Sequence, residues 1–104
     1  MSSISTDVLD SVAESLVMKK KYANKEDAVR DIALAAVRDK IAYYRRRIQK
    51  LKRKHHTDFQ AFTSRLQGKA TPDEEDDWFE WNSAINMLND WKQTQRELLN
   101  ERSR

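Results

Sequence analysis

Residues 71–99 have the sequence TPDEEDDWFEWNSAINMLNDWKQTQRELL, which contains the clearest helix start in the chain. Thr71 can serve as the N-cap, Pro72 suits the first helical position, and Glu74 can complete a capping box with Thr71. No Gly or Pro follows. The segment therefore predicts a helix over about 72–101, roughly 45 Å long at ~1.5 Å per residue. The residues on the apolar stripe of this helix are Trp78, Trp81, Ile85, Leu88, Trp91, Gln95 and Leu98.

A second long helix is predicted upstream, over about 24–55. Asn24, with Asp27 three residues later, resembles a capping box, and no breaker follows for about thirty residues. Its seam alternates three- and four-residue spacings, a heptad pattern that predicts lengthwise packing against another helix. The seam residues are Leu34, Val37, Ile41, Tyr44, Ile48, Leu51 and His55.

Two shorter helices complete the predicted fold. The first runs from about Asp7 to Lys20, with Ser5, Thr6 or Asp7 as its cap and Lys19, Lys20 and Lys21 at its end. Its apolar face would be Val8, Leu9, Val12, Leu16 and Val17. The other begins at a T-x-x-Q capping box formed by Thr57 and Gln60 and stops at Gly68. Its apolar face would be Phe59, Phe62 and Leu66.

The composition agrees with an all-α fold in a single domain, residues 1–104. One Gly and one Pro are too few for the tight turns of a β-rich domain. We expect the two long helices to form an antiparallel hairpin, and we expect two chains to dimerise along Ile41, Tyr44, Ile48 and Leu51, because the short first helix cannot cover both seams. The absence of Cys, of a membrane span and of a signal peptide favours a cytoplasmic protein.

A basic run occupies the end of the second helix. From Arg38 to His56 there are nine Lys or Arg residues against one acid, Asp39. Such a run can contact the phosphates of a nucleic acid. It can equally be the solvated face and favourable C-terminal charge of a long helix. The candidate nucleic-acid-binding residues are Arg45, Arg46, Arg47, Lys50, Arg53 and Lys54.

An acidic run, Asp73 to Asp77 with Glu80, opens the last helix. Consecutive carboxylates fan around a helix instead of converging on one metal ion, and the helix dipole favours them in the first turn. We therefore expect them to pair with the basic end of the second helix or with a partner protein. Trp81 is expected in the core, whereas Phe79 lies off the apolar stripe and is expected to be exposed together with part of Trp78.

The chain offers no catalytic or cofactor signature. His55 and His56 point about 100° apart on a helix and have no Ser, Cys or Asp at catalytic spacing. No phosphate-binding Gly loop and no nucleophile elbow occur. We therefore expect a binding protein, without metal or other cofactor, and not an enzyme.

Two sets of segments resemble known antitoxins. The run YANKEDAVRDIAL, Tyr22 to Leu34, resembles the N-terminal half of ribbon-helix-helix and related type II antitoxins. The segments IAYYRRRIQKL, DFQAF and LQGKATPDEEDDWFEW are similar to all-helical antitoxin-like proteins of archaea and cyanobacteria. A ribbon-helix-helix protein needs an N-terminal strand in the major groove, but here only Ser2 to Ser5, without a basic residue, precede the first helix. The resemblance thus implies a dimer and a toxin-neutralising surface.

The leading hypothesis is an antitoxin-like protein that neutralises a ribonuclease-like toxin and that can also autoregulate its operon. The alternative is a nucleic-acid-binding regulator that uses the basic second helix; DNA is then the partner. A structural coiled-coil adaptor shares the same fold. The candidate toxin-binding residues are Asp73, Glu74, Asp76, Asp77, Trp78, Glu80, Leu98 and Leu99.

Overall fold

The protein is all-helical in the part of the chain that the structure describes, residues 6–19 and 22–102 of a computed structural model. Four helices occur in this order: α1 (Thr6–Met18), α2 (Lys25–His55), α3 (Phe59–Leu66) and α4 (Pro72–Arg102). No strand is found in these residues, which confirms the predicted fold class. The predictions made for Met1 to Ser5 and for Lys20 and Lys21 fall outside the described residues.

The capping residues set the starts of both long helices. The side chain of Asn24 accepts a hydrogen bond from the backbone N–H of Asp27 at 2.9 Å. At α4, the backbone N–H of Thr71 donates to Glu74 Oε1 at 3.0 Å, and the backbone N–H of Glu74 donates to Thr71 Oγ1 at 3.2 Å. Each bond satisfies an amide that the first helical turn leaves without a partner. Both predicted starts are therefore confirmed.

The start of α3 differs from the prediction. Asp58 is the N-cap, and its carboxylate accepts from the backbone N–H of Ala61 at 2.8 Å. The predicted box of Thr57 and Gln60 is thus wrong by one residue, because a carboxylate at this position gains from both the hydrogen bond and the helix dipole. The predicted stop is confirmed: Gly68 follows the helix with φ of +73°, a left-handed conformation that suits glycine.

The core lies where α2, α3 and α4 meet. Leu51, Phe62, Leu66 and Trp81 form one buried cluster, and Trp81 is 1% exposed, in agreement with the prediction from sequence. Aromatic rings fill most of this space, with 5.3 Å between the ring centroids of Phe62 and Trp81. The partly buried residues around the cluster are Ile48, Phe59, Ala70, Trp78 and Ile85.

Packing along α2 extends the molecule to 60 × 29 × 18 Å. This helix packs against both α4 and α1, and α3 packs against α4. Leu34, Val37 and Ile41 of the predicted seam are buried in the single chain. The seam thus already has partners within one protomer. No helix in the described ranges combines the length and apolar character needed to cross a membrane.

The buried face of α1 agrees only in part with the predicted one, of which Leu9, Leu16 and Val17 are half-buried. Ala13 is fully buried, whereas Val8 and Val12 are 54% and 45% exposed. Ala28 of α2 is also fully buried. Because α1 packs on α2 with Ala13 on its buried side, the buried stripe is rotated from the predicted one and leaves Val8 and Val12 partly in solvent.

Candidate binding surfaces

A charged seam joins the end of α2 to the beginning of α4. Lys54 Nζ and His55 Nε2 both reach Oδ2 of Asp77 at 2.7 Å. Arg47 pairs with Glu80 along the same seam. The side chains of His55 and Asp77 are only 12% and 14% exposed, so this part of the seam is shielded from solvent. The expected pairing of the acidic run with the basic end of α2 is therefore present within one chain.

His55 belongs to the aromatic core as well as to the charged seam. Its ring centroid lies 4.2 Å from that of Phe62 and 6.2 Å from that of Trp81. An ionised carboxylate can only accept hydrogen bonds, so the short contact with Asp77 places a proton on Nε2 of His55. The histidine thus orients the carboxylate toward α2 and contributes packing. Within the described residues, no group of three or more His, Asp or Glu side chains is arranged to hold a metal ion.

The seam changes the ionisation of its residues. Burial by itself would raise the pKa of the Asp77 carboxyl, but the hydrogen bonds from Lys54 and His55 together outweigh burial and lower it. The hydrogen bond to Asp77 raises the pKa of Lys54. At the start of α4, hydrogen bonds from the backbone and side chain of Thr71 lower the pKa of Glu74. All three shifts favour the charged forms.

The structure divides the candidate toxin-binding residues into two groups. Glu74 caps α4, and Asp77 and Glu80 form ion pairs inside the chain. Asp76 and Asp73 are exposed and form no ion pair among the described residues, although Asp73 is close enough to raise the pKa of Lys54. The acidic surface open to another molecule is therefore smaller than the acidic run in the sequence.

The basic run is divided in the same way. Arg47 and Lys54 are held in the seam. Arg45, Arg46 and Arg53 are exposed and line an open groove of about 450 Å³ whose apolar members are Ile48 and Leu88. Lys50 and Lys52 are also exposed, and none of these five cations forms an ion pair within the described parts of the chain.

An aromatic groove of about 380 Å³ lies between α3 and α4. Phe79 is 65% exposed and stands edge-on to Trp78, with 5.2 Å between ring centroids. The candidates chosen from sequence included Trp78 but omitted Phe79 and Glu75, although the position of Phe79 off the apolar stripe was the signal for its exposure. The lining residues are Thr63, Leu66, Gln67, Ala70, Glu75, Trp78 and Phe79.

The two leucines near the end of α4 have different surroundings. Leu98 is half-buried and lines an open groove of about 390 Å³ together with Asp10 of α1 and Val29 and Ala33 of α2. Leu99 is 41% exposed. Leu98 therefore lies in a groove formed by three helices, whereas much of the Leu99 side chain is exposed to solvent.

Comparison of the chain with protein-family models, curated proteins and solved structures found no match. The function is therefore inferred from the residues and geometry of the surfaces described above. Three surfaces are available: the exposed basic side of α2, the acidic and aromatic beginning of α4, and the region around Leu98.

We expect Asp77→Asn to reduce the free energy of unfolding near neutral pH by about 1–3 kcal/mol, because two donors would no longer have a charged acceptor. The pKa of Asp77 is lower in the folded chain than its ordinary value of 3.8. Its stabilisation is therefore complete above that value and disappears as the pH falls through the folded pKa. Urea unfolding followed by circular dichroism should show a smaller decrease of stability in acid for Asp77→Asn than for the wild type.

The matched control is Asp76→Asn, which removes the same charge at the next position, where the side chain is exposed and has no ion pair among the described residues. The stability of this control should decrease in acid as much as the stability of the wild type does. If the free energy of unfolding depends on pH in the same way for the wild type and Asp77→Asn, the stabilising role of the charged seam is contradicted.

Proposed function

We propose that this chain is a binding protein that sequesters a basic partner protein, as an antitoxin neutralises a ribonuclease-like toxin. The observation that supports this proposal is the surface at the beginning of α4. There Phe79 is 65% exposed beside the exposed carboxylates of Glu75 and Asp76. An exposed aromatic ring is costly to keep in water, and aromatic residues are enriched in protein interfaces.

The charge of this surface specifies the partner. Residues 70–80 contain six carboxylates and no Lys or Arg. Nucleases that bind RNA present cations to the phosphates, so an acidic surface can occupy the same site and compete with the substrate. The resemblance of residues 22–34, 41–51, 58–62 and 66–81 to antitoxins, which no family model matches, motivates the same proposal.

The ion pairs within the chain determine which candidate residues are available to bind the partner. Asp77 and Glu80 act mainly within the chain, so Asp73, Asp76 and the aromatic pair of Trp78 and Phe79 form the proposed toxin-binding surface. Glu74 supports this surface by starting the helix. Leu98 and Leu99 lie near the other end of α4 and would contribute only to a partner that follows the whole helix.

We expect the double variant Asp73→Lys/Asp76→Lys to weaken neutralisation of the partner at least about tenfold, since two attractive contacts become repulsive. Reversal at Asp73, in the first turn of α4, should cost only about 0.3–1 kcal/mol of stability through the helix dipole, and the exposed Asp76 lies beyond that turn. Co-expression with the product of the adjacent gene, followed by pull-down and growth assays, measures the effect. The double variant Asp90→Lys/Glu97→Lys, on exposed positions farther along α4, should retain neutralisation. Full neutralisation by Asp73→Lys/Asp76→Lys would place the partner surface elsewhere.

The proposed arrangement of the two long helices is an antiparallel hairpin. Three pairs of neighbouring residues support it, because residues later in α2 lie near residues earlier in α4. Lys54 pairs with Asp77, Ile48 shares a groove with Leu88, and Ala33 shares a groove with Leu98.

A homodimer is also proposed, with a smaller interface than the sequence suggested. Ile41 and Leu51 are 5% and 4% exposed within one chain, so they have little surface left for a second copy. Tyr44 and Ile48 are half-buried and retain some surface on the same side of α2. The proposed dimer contact is therefore centred on these two residues.

Light scattering at micromolar concentration should give twice the chain mass of 12.3 kDa. Tyr44→Asp should shift the mass toward the monomer, because it would bury a charge in the interface. Ile48→Asp should act similarly, with circular dichroism to verify folding, since Ile48 also packs on the core. Gln49→Asp is the control, because Gln49 is exposed. A monomeric wild type would refute the dimer.

Nucleic-acid binding by α2 is the second candidate function. It is favoured by the exposed Lys and Arg side chains of α2 that have no ion pair among the described residues, three of which line one groove. Arg47 and Lys54 contribute less than the sequence suggested, because carboxylates of α4 already neutralise them. The contact would be with phosphates, which carry most of the affinity and little sequence information.

The triple variant Arg45→Ala/Arg46→Ala/Arg53→Ala should bind duplex DNA more weakly and with a smaller salt dependence. Each phosphate that the variant no longer neutralises reduces the slope of log K against log salt concentration by about 0.9. Fluorescence anisotropy over a range of salt concentrations measures both quantities. Arg47→Ala should retain nearly the wild-type slope, because Arg47 is paired with Glu80. Equal slopes for the triple variant and the wild type would exclude this face of α2.

A further inference from the structure

One ring of the aromatic groove between α3 and α4 is held by hydrogen bonds, while another is exposed to solvent. The indole N–H of Trp78 donates to Thr63 Oγ1 at 2.8 Å, and the Thr63 hydroxyl donates to the backbone carbonyl of Phe59 at 2.9 Å. These two hydrogen bonds tie the Trp78 ring to α3. Phe79 then stands edge-on to this anchored ring.

From this arrangement we infer that the groove is the anchor site of the partner, and that it accepts one apolar or aromatic side chain flanked by Lys or Arg. The inference rests on the proposed function and names the chemistry of the segment that the partner presents. It concerns a single cavity and not the wider acidic surface of α4.

The lining supports an apolar occupant. Leu66 and Ala70 contribute aliphatic surface, while Trp78 and Phe79 contribute aromatic surface. A cavity of about 380 Å³ is near the lower end of the ~300–1,000 Å³ range of ligand pockets. One large side chain inserted beside Phe79 would remove both apolar partners from water. Because the hydrogen bond to Thr63 already orients the Trp78 ring, binding needs to order mainly Phe79.

The charge beside the groove indicates which residues flank the inserted side chain in the partner. Glu75 is the ionisable residue of the lining, and it precedes Phe79 by one helical turn on the same side of α4. The exposed carboxylate of Asp76 is its immediate neighbour. A Lys or Arg located one turn from the inserted side chain would meet these carboxylates, whereas an acidic peptide or a nucleic acid would be repelled from them.

The test uses the full-length chain labelled with ¹⁵N and a helical peptide probe of about fifteen residues, long enough to retain some helix. The probe carries a single Phe with Lys residues one turn before and after it, on an Ala- and Gln-based sequence. Two matched peptides replace the Phe with Ala or the Lys residues with Glu. We expect the probe to shift the indole resonance of Trp78 and the amides of Glu75 and Phe79, and both matched peptides to bind at least about tenfold more weakly.

Variants of the chain assign the binding to the groove. Phe79→Ala and Glu75→Lys should each weaken binding of the probe about tenfold, and since both side chains are exposed, the fold should be retained. Tyr43→Ala, at an aromatic residue of α2 that is 43% exposed, is the control for Phe79. Asp90→Lys is the control for Glu75, because it makes the same change of charge on the same helix. Unaltered binding in Phe79→Ala, or equal binding of the acidic peptide, would overturn the inference.

The co-expression assay separates this inference from the proposed function. If the wild type, Phe79→Ala and Glu75→Lys all neutralise the partner equally, the anchor site is wrong and the proposed function stands. If the peptide probe binds the groove but the wild type binds no protein product of the adjacent gene, the groove chemistry stands and the proposed function fails. If the Trp78 resonance still depends on protein concentration, without a probe, in the Tyr44→Asp variant that removes the proposed dimer contact, the occupant is a second copy of the chain and the inference is overturned.

Discussion

One carboxylate, Asp77, connects the charged and aromatic parts of this protein. It accepts hydrogen bonds from Lys54 and His55, and the His55 ring in turn packs on Phe62 and Trp81. The polar contact is shielded, so removing either side of it would leave a poorly solvated charge or donor. The contact that joins the end of α2 to the beginning of α4 therefore also borders the aromatic core.

This connection also determines the surface charge of the molecule. Each cation held in the seam is removed from the basic side of α2, and each carboxylate held there is removed from the acidic beginning of α4. What is left is an exposed basic surface with Arg45, Arg46 and Arg53, and an exposed acidic surface with Glu75 and Asp76. Because the two surfaces have opposite signs, they suit different partners, and one protomer can present both.

Exposed aromatic surface is concentrated beside the acidic residues. Phe79 contributes little to the core, yet its ring is positioned by Trp78, which is itself fixed to α3 through Thr63. An aromatic ring beside exposed carboxylates combines the two properties expected of a docking site for a basic protein segment. The proposed sequestering function follows from this combination, while the proposed binding of polyanions would use the separate basic side of α2.

The sequence by itself determined the fold class and the starts of both long helices, because caps at Asn24 and Thr71 act over only three residues. It also indicated that Trp81 would be buried and Phe79 exposed, since helical spacing separates the two faces. Tertiary structure alone decided that Ala13 is buried while Val8 and Val12 of the same helix are exposed, and which charges remain available to partners. The decisive ion pairs join residues 22 and 33 positions apart, as in His55 with Asp77 and Arg47 with Glu80. No local pattern specifies such pairs, because they depend on how the helices pack against one another.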